Sequence, residues 1–216
     1  MSDARGLFLT VLLTAVFSLS VAEASSRRPP LPEPQTFIVW DGENPDQKAV
    51  GWAGPEVGKG GTTWATLKPV KGAGIDNGTA LVWTAKGPEW KGFGWNWFSW
   101  WPSNAGTDIT PYKFLVFKIR FDRISAADPL ALDALNVTLS CSDGGGRRSV
   151  ELPILAYLEE DPADGKWHEV VIPLKDILND EASRAFNPKK TWELGMNMWT
   201  PENQDFTLVV DSIGFR

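Results

Sequence analysis

The sequence predicts an all-β fold: a two-sheet antiparallel β-sandwich of the jelly-roll type. Short apolar runs recur along most of the chain, separated by many of its 20 glycines and 16 prolines. Several runs alternate apolar and polar residues with period two, so that one face suits a core and the other water. Only Leu174–Phe186, "LKDILNDEASRAF", suits a helix, and then a single short turn. Many short strands with Gly/Pro turns form sandwiches and barrels rather than helical layers.

The first 24 residues stand apart. Arg5 precedes the apolar run "GLFLTVLLTAVFSLSV", and Ala22–Ala24, "AEA", has the small-x-small pattern of a cleavage site. Residues 1–24 are therefore expected to be a secretory signal. The run is short for a membrane span and carries Thr10, Thr14, Ser18 and Ser20. Residues 25–36 begin "SSRRPPLPEPQ" and form a proline-rich tether. Residues 37–216 make one domain, long enough to bury a sizeable core.

Within that domain the first expected strand is "TFIVWD" (Thr36–Asp41). "GTALVWTA" (Gly78–Ala85) follows an Asn-Gly turn signal, and "GFGWNWFSWW" (Gly92–Trp101) comes next. Lys113–Phe121, Leu135–Ser142 and Arg148–Tyr157 follow, then Lys166–Leu174, Thr191–Trp199 and Phe206–Phe215. The glycine-rich segment holding Trp52 and Trp64 is expected to be loop. Leu115, Phe117, Ile119 and Phe121 form one face, opposite Lys118 and Arg120. Leu135, Val137, Leu139 and Cys141 oppose Asn136, Thr138 and Ser140. Leu194, Met196 and Met198 oppose Gly195, Asn197 and Trp199.

Two features depart from simple patterning. Five of the 12 tryptophans fall within Glu89–Trp101. Period two divides that stretch into Phe93, Trp95, Trp97, Ser99 and Trp101 on one side, and Gly92, Gly94, Asn96, Phe98 and Trp100 on the other. Either set could face the core, but adjacent Trp100 and Trp101 cannot both enter it from one strand. The second feature is Asp211, in phase with Val209, Ile213 and Phe215. A buried carboxylate needs a hydrogen-bond partner or a cation. Asp41 ends the first strand, and "DGENPD" adds Glu43, Asn44 and Asp46. This density of hard oxygen ligands suits a structural calcium held by Asp41, Glu43 and Asp211. The alternative is a turn with an aspartate accepting N–H groups.

"YKFLVFKIRF", "LNVTLSCSDGGG", "GKWHEVVIPLKDIL" and "FTLVVDSIGF" resemble the galactose-binding-like jelly-roll domains of the carbohydrate-binding-module type. The resemblance spans about Phe37 to Phe215. Its most specific pieces are Trp167, Val170, Ile172, Pro173 and Leu174, and the closing Val210, Asp211, Ile213 and Phe215. It implies a carbohydrate ligand, first and last strands lying together with calcium near them, and a core position for Trp167.

Sugars present a C–H face that flat aromatic rings cover and a rim of hydroxyls that polar side chains satisfy. The candidate ligand-binding set is therefore Asn96, Trp97, Trp100, Trp101, Asn197, Trp199 and Arg120, provided that their strands share one sheet. The expected function is a secreted, non-catalytic carbohydrate-binding protein, holding a polysaccharide or oligosaccharide on exposed tryptophans. It would be monomeric, and periplasmic or extracellular after signal cleavage. The alternatives are a polysaccharide-active hydrolase or lyase on the same fold, and a surface or assembly protein that binds another protein. A net charge of −6 without a basic cluster argues against nucleic acid, and against a membrane partner after cleavage. No phosphate loop or redox motif calls for a nucleotide or redox cofactor. His168, the single histidine, shares phase with Val170 and Ile172 and is expected near the core. Cys141 has no partner for a disulfide within the chain.

Overall fold

The period-two patterning becomes eleven strands among the residues that the computed structural model describes. These are 36–43, 50–54, 64–87, 89–96, 106–124, 135–143, 146–160, 162–179, 186–200 and 205–216. The signal segment, residues 25–35 of the tether, Asn44 and Asp46 lie outside them. In chain order the strands are β1 (Phe37–Trp40), β2 (Val50–Gly54), β3 (Trp64–Lys71), β4 (Thr79–Lys86), β5 (Glu89–Asn96) and β6 (Phe114–Ile124). Then come β7 (Leu135–Asp143), β8 (Gly146–Pro153), β9 (His168–Pro173), β10 (Thr191–Thr200) and β11 (Phe206–Phe215). One short helix, α1 (Leu174–Asn179), follows β9 inside the segment that suits a helical turn.

The strands form two antiparallel sheets. One has the order β3-β4-β11-β6-β9, with β1 also paired to β11; the other has the order β2-β5-β10-β7-β8. The first and last strands thus lie together, Phe37 opposite Phe215. The inner faces meet in one core. Trp83 of β4 packs 4.5 Å from Phe93 of β5, ring centre to ring centre, and 4.7 Å edge-on from Phe206 of β11. Leu115, Phe117, Ile119 and Phe121 enter this core, as do Leu135, Val137, Leu139, Cys141, Leu194, Met196 and Met198. Alternation assigns their inward faces correctly because one side of each strand is apolar; the polar side of β7 and β10 is buried too, with Thr138, Ser140, Glu193 and Asn197 no more than 7% exposed.

β2 and β3 occupy the segment expected to be loop. Both are edge strands, each paired on one side only, β2 with β5 and β3 with β4. An edge tolerates the glycines of "VGWAG" and Pro69, since neither needs a complete ladder there. These residues therefore hide a strand from a reading based on patterning.

The last strand also needs correction. Leu208 and Val210 pack in the core, and so do Ile213 and Phe215, which are of opposite phase. Between them the register with β6 shifts, and Ser212 adopts φ 54°. This bulge changes the inward set from even to odd numbers. Asp211 therefore does not share the phase of the inward residues before it, although it is buried at 4% exposure.

Gly42, directly after β1, takes φ +75°, and a β-carbon there would stand 1.8 Å from the Thr79 carbonyl oxygen. Only glycine fits this close approach. It brings the start of the fold against the turn before β4.

Candidate functional site

The central strand of the five-stranded sheet organises the candidate site. On β10, Leu194, Met196 and Met198 fill the core, and Glu193, Gly195 and Asn197 alternate with them. Pairing fixes the neighbours of this second set. Asn197 lies opposite Gly92 of β5 and Asn136 of β7, and Gly195 opposite Gly94 and Thr138. Glu193 lies opposite Asn96 and Ser140. On β8, Glu151 and Ser149 pair with Thr138 and Ser140.

The tryptophan-rich strand divides as period two requires. Phe93 and Trp95 are the core set, with rings 5.3 Å apart in an edge-to-face contact. Trp90 belongs to the other set and is half-buried. Its indole lies over Gly92, where a β-carbon would stand 2.6 Å from Cζ2 and 2.7 Å from Cη2. Glycine at position 92 thus provides the space in which the ring rests.

Beside Trp90 opens a cleft of about 230 Å³, bordered by Thr138, Arg147, Glu151, Glu193 and Asn197 among others. Asn197 Nδ2 donates to Thr138 Oγ1 at 2.7 Å and to Glu151 Oε1 at 3.3 Å. Arg147 Nη2 donates to Glu193 Oε1 at 2.6 Å, and its Nε to Ser140 Oγ at 3.1 Å. The guanidinium also stands 5.9 Å from the Trp192 ring centre. Glu193 is 1% exposed, and its Oε2 is buried without a hydrogen-bond partner among the described residues. Burial pushes its carboxyl above the usual carboxylate range, while Arg147 and Ser140 act in the opposite direction. The arrangement pairs an aromatic wall with a polar floor rich in acceptors.

The candidate residues are distributed unequally. Asn197 lines this cleft. Asn96 and Trp199 sit in β5 and β10, and Trp199 pairs with Trp90 in register. Trp97, Trp100 and Trp101 lie outside the described residues. Arg120 is not on this face: its strand β6 belongs to the six-stranded sheet. There Arg120 stands 4.7 Å from the half-buried Trp167 ring and pairs with Asp122 at 2.5 Å. The premise that β6 and β10 share a sheet fails, because chain order does not specify which strands pair. Trp167 is likewise half-buried rather than a core residue.

Sequence reasoning missed Trp90, Arg147, Glu151 and Glu193. The signal for Trp90 was its phase with Gly92, and for Glu193 its phase with Asn197. Arg147 and Glu151 gave no such signal, since only the β7–β8 pairing brings them to β10.

Two of the three candidate calcium ligands, Glu43 and Asp211, border one turn, Gly74–Thr79, and Asp41 bonds to the first of them. Asp211 Oδ2 accepts the Ile75 N–H at 3.0 Å, and its Oδ1 the Ser212 N–H at 2.7 Å. Glu43 Oε1 accepts the Thr79 N–H at 2.9 Å, and Asp41 Oδ1 the Glu43 N–H at 3.0 Å. Among the described residues, no three Asp, Glu, His or Cys side chains come close enough to share an ion. His168 is buried, as expected, with Nε2 2.7 Å from Asp164 Oδ1. His168 first, and then Lys166, hold the Asp164 carboxyl well below its usual range.

Residues 45–216 match the family described as carbohydrate binding domain 30. Among solved structures, the fold is similar to the family 30 carbohydrate-binding module of a cellulosomal cellulase of Clostridium thermocellum. The TM-score is 0.60 at 16% identity, over 84% of this chain and 97% of that one. A second family 30 carbohydrate-binding module gives a TM-score of 0.59 at 16% identity, over 85% and 88%. A β-1,2-glucanase of Parabacteroides distasonis gives 0.57 at 19% identity, covering 85% of this chain but 25% of the enzyme. At these identities the likenesses establish a shared β-sandwich fold. No curated protein sequence matches the chain.

Proposed function

This chain belongs to the carbohydrate binding domain 30 family, and from that premise we propose that it holds a polysaccharide, without cleaving it, on the outer face of the five-stranded sheet. The observation that carries this reading is Trp90, seated over Gly92 beside the Thr138, Glu151 and Asn197 hydrogen-bond cluster. An indole covers the C–H face of a pyranose, and the adjacent polar groups receive its hydroxyls. Trp199 pairs with Trp90, and Trp52 of β2 pairs with Gly94, so two further tryptophans belong to strands of this sheet. The leader pattern of residues 1–24 supports action outside the cytoplasm, in the periplasm or beyond the cell, where polysaccharides are met.

One observation favours a second reading. Glu151 and Glu193 line the same cleft, and burial raises the carboxyl of Glu193. A hydrolase needs one protonated and one ionised carboxyl about 5–9.5 Å apart. A single assay separates the two readings: a panel of β-linked glucans, other neutral glycans and polygalacturonate, scored for retention and for new reducing ends. Retention of a neutral glycan without new reducing ends is expected. Product release would favour the hydrolase, and no retention of any neutral glycan would overturn binding. Polygalacturonate should not be retained, because Glu151 and Glu193 outnumber Arg147 at the cleft.

Calcium remains part of the proposal. Asp211 and Glu43 each accept a backbone N–H of the turn between β3 and β4, and Asp41 accepts that of Glu43; an ion that drew these carboxylates together would add to stability rather than to sugar contact. Treatment with a chelator is then expected to lower the melting temperature, and added calcium to restore it. An unchanged melting temperature would leave these carboxylates as hydrogen-bond acceptors for the turn.

A further inference from the structure

Arg147 is held more firmly than a surface arginine needs to be. Its Nη2 donates to Glu193 Oε1 at 2.6 Å and its Nε to Ser140 Oγ at 3.1 Å. Its guanidinium carbon stands 5.9 Å from the centre of the Trp192 ring, and that residue is 3% exposed. The arginine side chain is nevertheless 45% exposed, against 1% for Glu193. A guanidinium carries five N–H donors in a planar fork. The two bonds use the Nε hydrogen and one of Nη2, so both Nη1 hydrogens and the second of Nη2 remain. Asn197 differs, because Thr138 and Glu151 take up both of its Nδ2 hydrogens. Among the described residues that border the cleft, Arg147 is thus the charged donor, and Glu151 and Glu193 are the charged acceptors. Ordering a long side chain costs rotamer entropy. Here the fold meets that cost before any ligand arrives, which favours affinity in a preorganised site. A buried carboxylate paired with arginine contributes little net stability, so fixing the direction of the fork is the more direct role for Glu193.

We propose that Arg147 contacts the ligand, donating its outer N–H groups to acceptor oxygens of a neutral pyranose held against Trp90, and that buried Glu193 is its positioning residue. This rests on the reading of the face as the carbohydrate-binding surface and adds the donor that such a surface requires. The ring and glycosidic oxygens of a pyranose can only accept, so a cleft of acceptors alone would leave them unsatisfied. Glu193 is closed to the ligand and acts through Arg147. It also balances the charge of Arg147, so the pair offers hydrogen bonds without drawing in an acidic sugar. Glu151 lies four residues along β8 on the same face and is exposed. Its carboxylate can accept where Arg147 donates, and a sugar hydroxyl does both.

The test is a double-mutant cycle on binding, measured by titration calorimetry at pH 7 with cellohexaose and with a β-1,2-linked glucan oligosaccharide. If the panel retains a different neutral glycan, an oligosaccharide of that glycan is the probe. Wild type, Arg147→Met, Glu193→Gln and the double variant are compared, with thermal melting as a check on folding. Methionine keeps an apolar stem over Trp192 and loses the fork. In the double variant no buried charge is left unpaired, so it remains a folded protein without the arginine. Arg147→Met is expected to bind about ten-fold more weakly. Glu193→Gln is expected to weaken binding about three- to five-fold when Arg147 is present and to have no further effect in the Arg147→Met background. A purely structural role for Glu193 would weaken both backgrounds alike, and that result would overturn its positioning role. Arg147→Met and the double variant binding as tightly as wild type would overturn the contact while leaving carbohydrate binding intact. Failure of wild type to bind any neutral glycan of the panel would instead remove the underlying reading, and the role of Arg147 with it.

Discussion

Replacing Trp90 with alanine is expected to weaken polysaccharide binding by about 30-fold, or about 2 kcal/mol, with little change in folding. Trp90 is half-buried and rests over Gly92 on the outer face, not in the core. Truncation removes the apolar wall of the cleft and exposes bare backbone at Gly92. It opens no cavity between the sheets, so the stability cost should stay within about 1 kcal/mol. For a domain of this size that is a fall in melting temperature of roughly 2–4 °C. Affinity electrophoresis in the retained glycan, with melting curves alongside, measures both effects. A Trp90→Ala protein that is retained as well as wild type would remove Trp90 from the binding surface.

Replacing Trp95, five residues along the same strand, should have the opposite signature. Trp95 is 1% exposed and packs edge-on against Phe93, which in turn contacts Trp83. Trp95→Ala leaves a large cavity between the sheets and is expected to cost about 3–5 kcal/mol. The melting temperature should fall by roughly 6–20 °C, while the fraction that remains folded binds glycan with unchanged affinity. Trp95→Phe should be milder. The indole Nε1 is buried without a partner among the described residues, so removing it discards an unsatisfied donor along with some packing area. Denaturant unfolding of the three proteins decides the matter. A Trp95→Ala protein as stable as wild type would contradict the core assignment.

The contrast between these two tryptophans marks how far the sequence could be read. Alternation assigned the inward faces of β6, β7 and β10 residue by residue. It also divided the tryptophan-rich stretch into two sets without choosing between them. The choice came from packing: Phe93 meets Trp83 across the sandwich and Trp95 packs on Phe93, while in the opposite set Gly92 lies under the Trp90 ring. β2 and β3 were hidden because edge strands accept glycine and proline. Asp211 was assigned the wrong phase because the β11 bulge at Ser212 leaves no clear mark in composition.

By itself, the sequence determined the all-β class, most strand positions and the core face of the regular strands. It also nominated indole and amide residues for the proposed binding surface. These are local properties, set by the period of a pleated strand within a few residues. Tertiary structure alone decided which strands are neighbours. That separated Arg120 from Asn197 by placing them in different sheets, and brought Arg147 of β8 onto Glu193 of β10 across 46 residues of chain. Strand pairing is a non-local choice among many runs of similar pattern. It is settled by the joint packing of both sheets on one core, and no single segment encodes it.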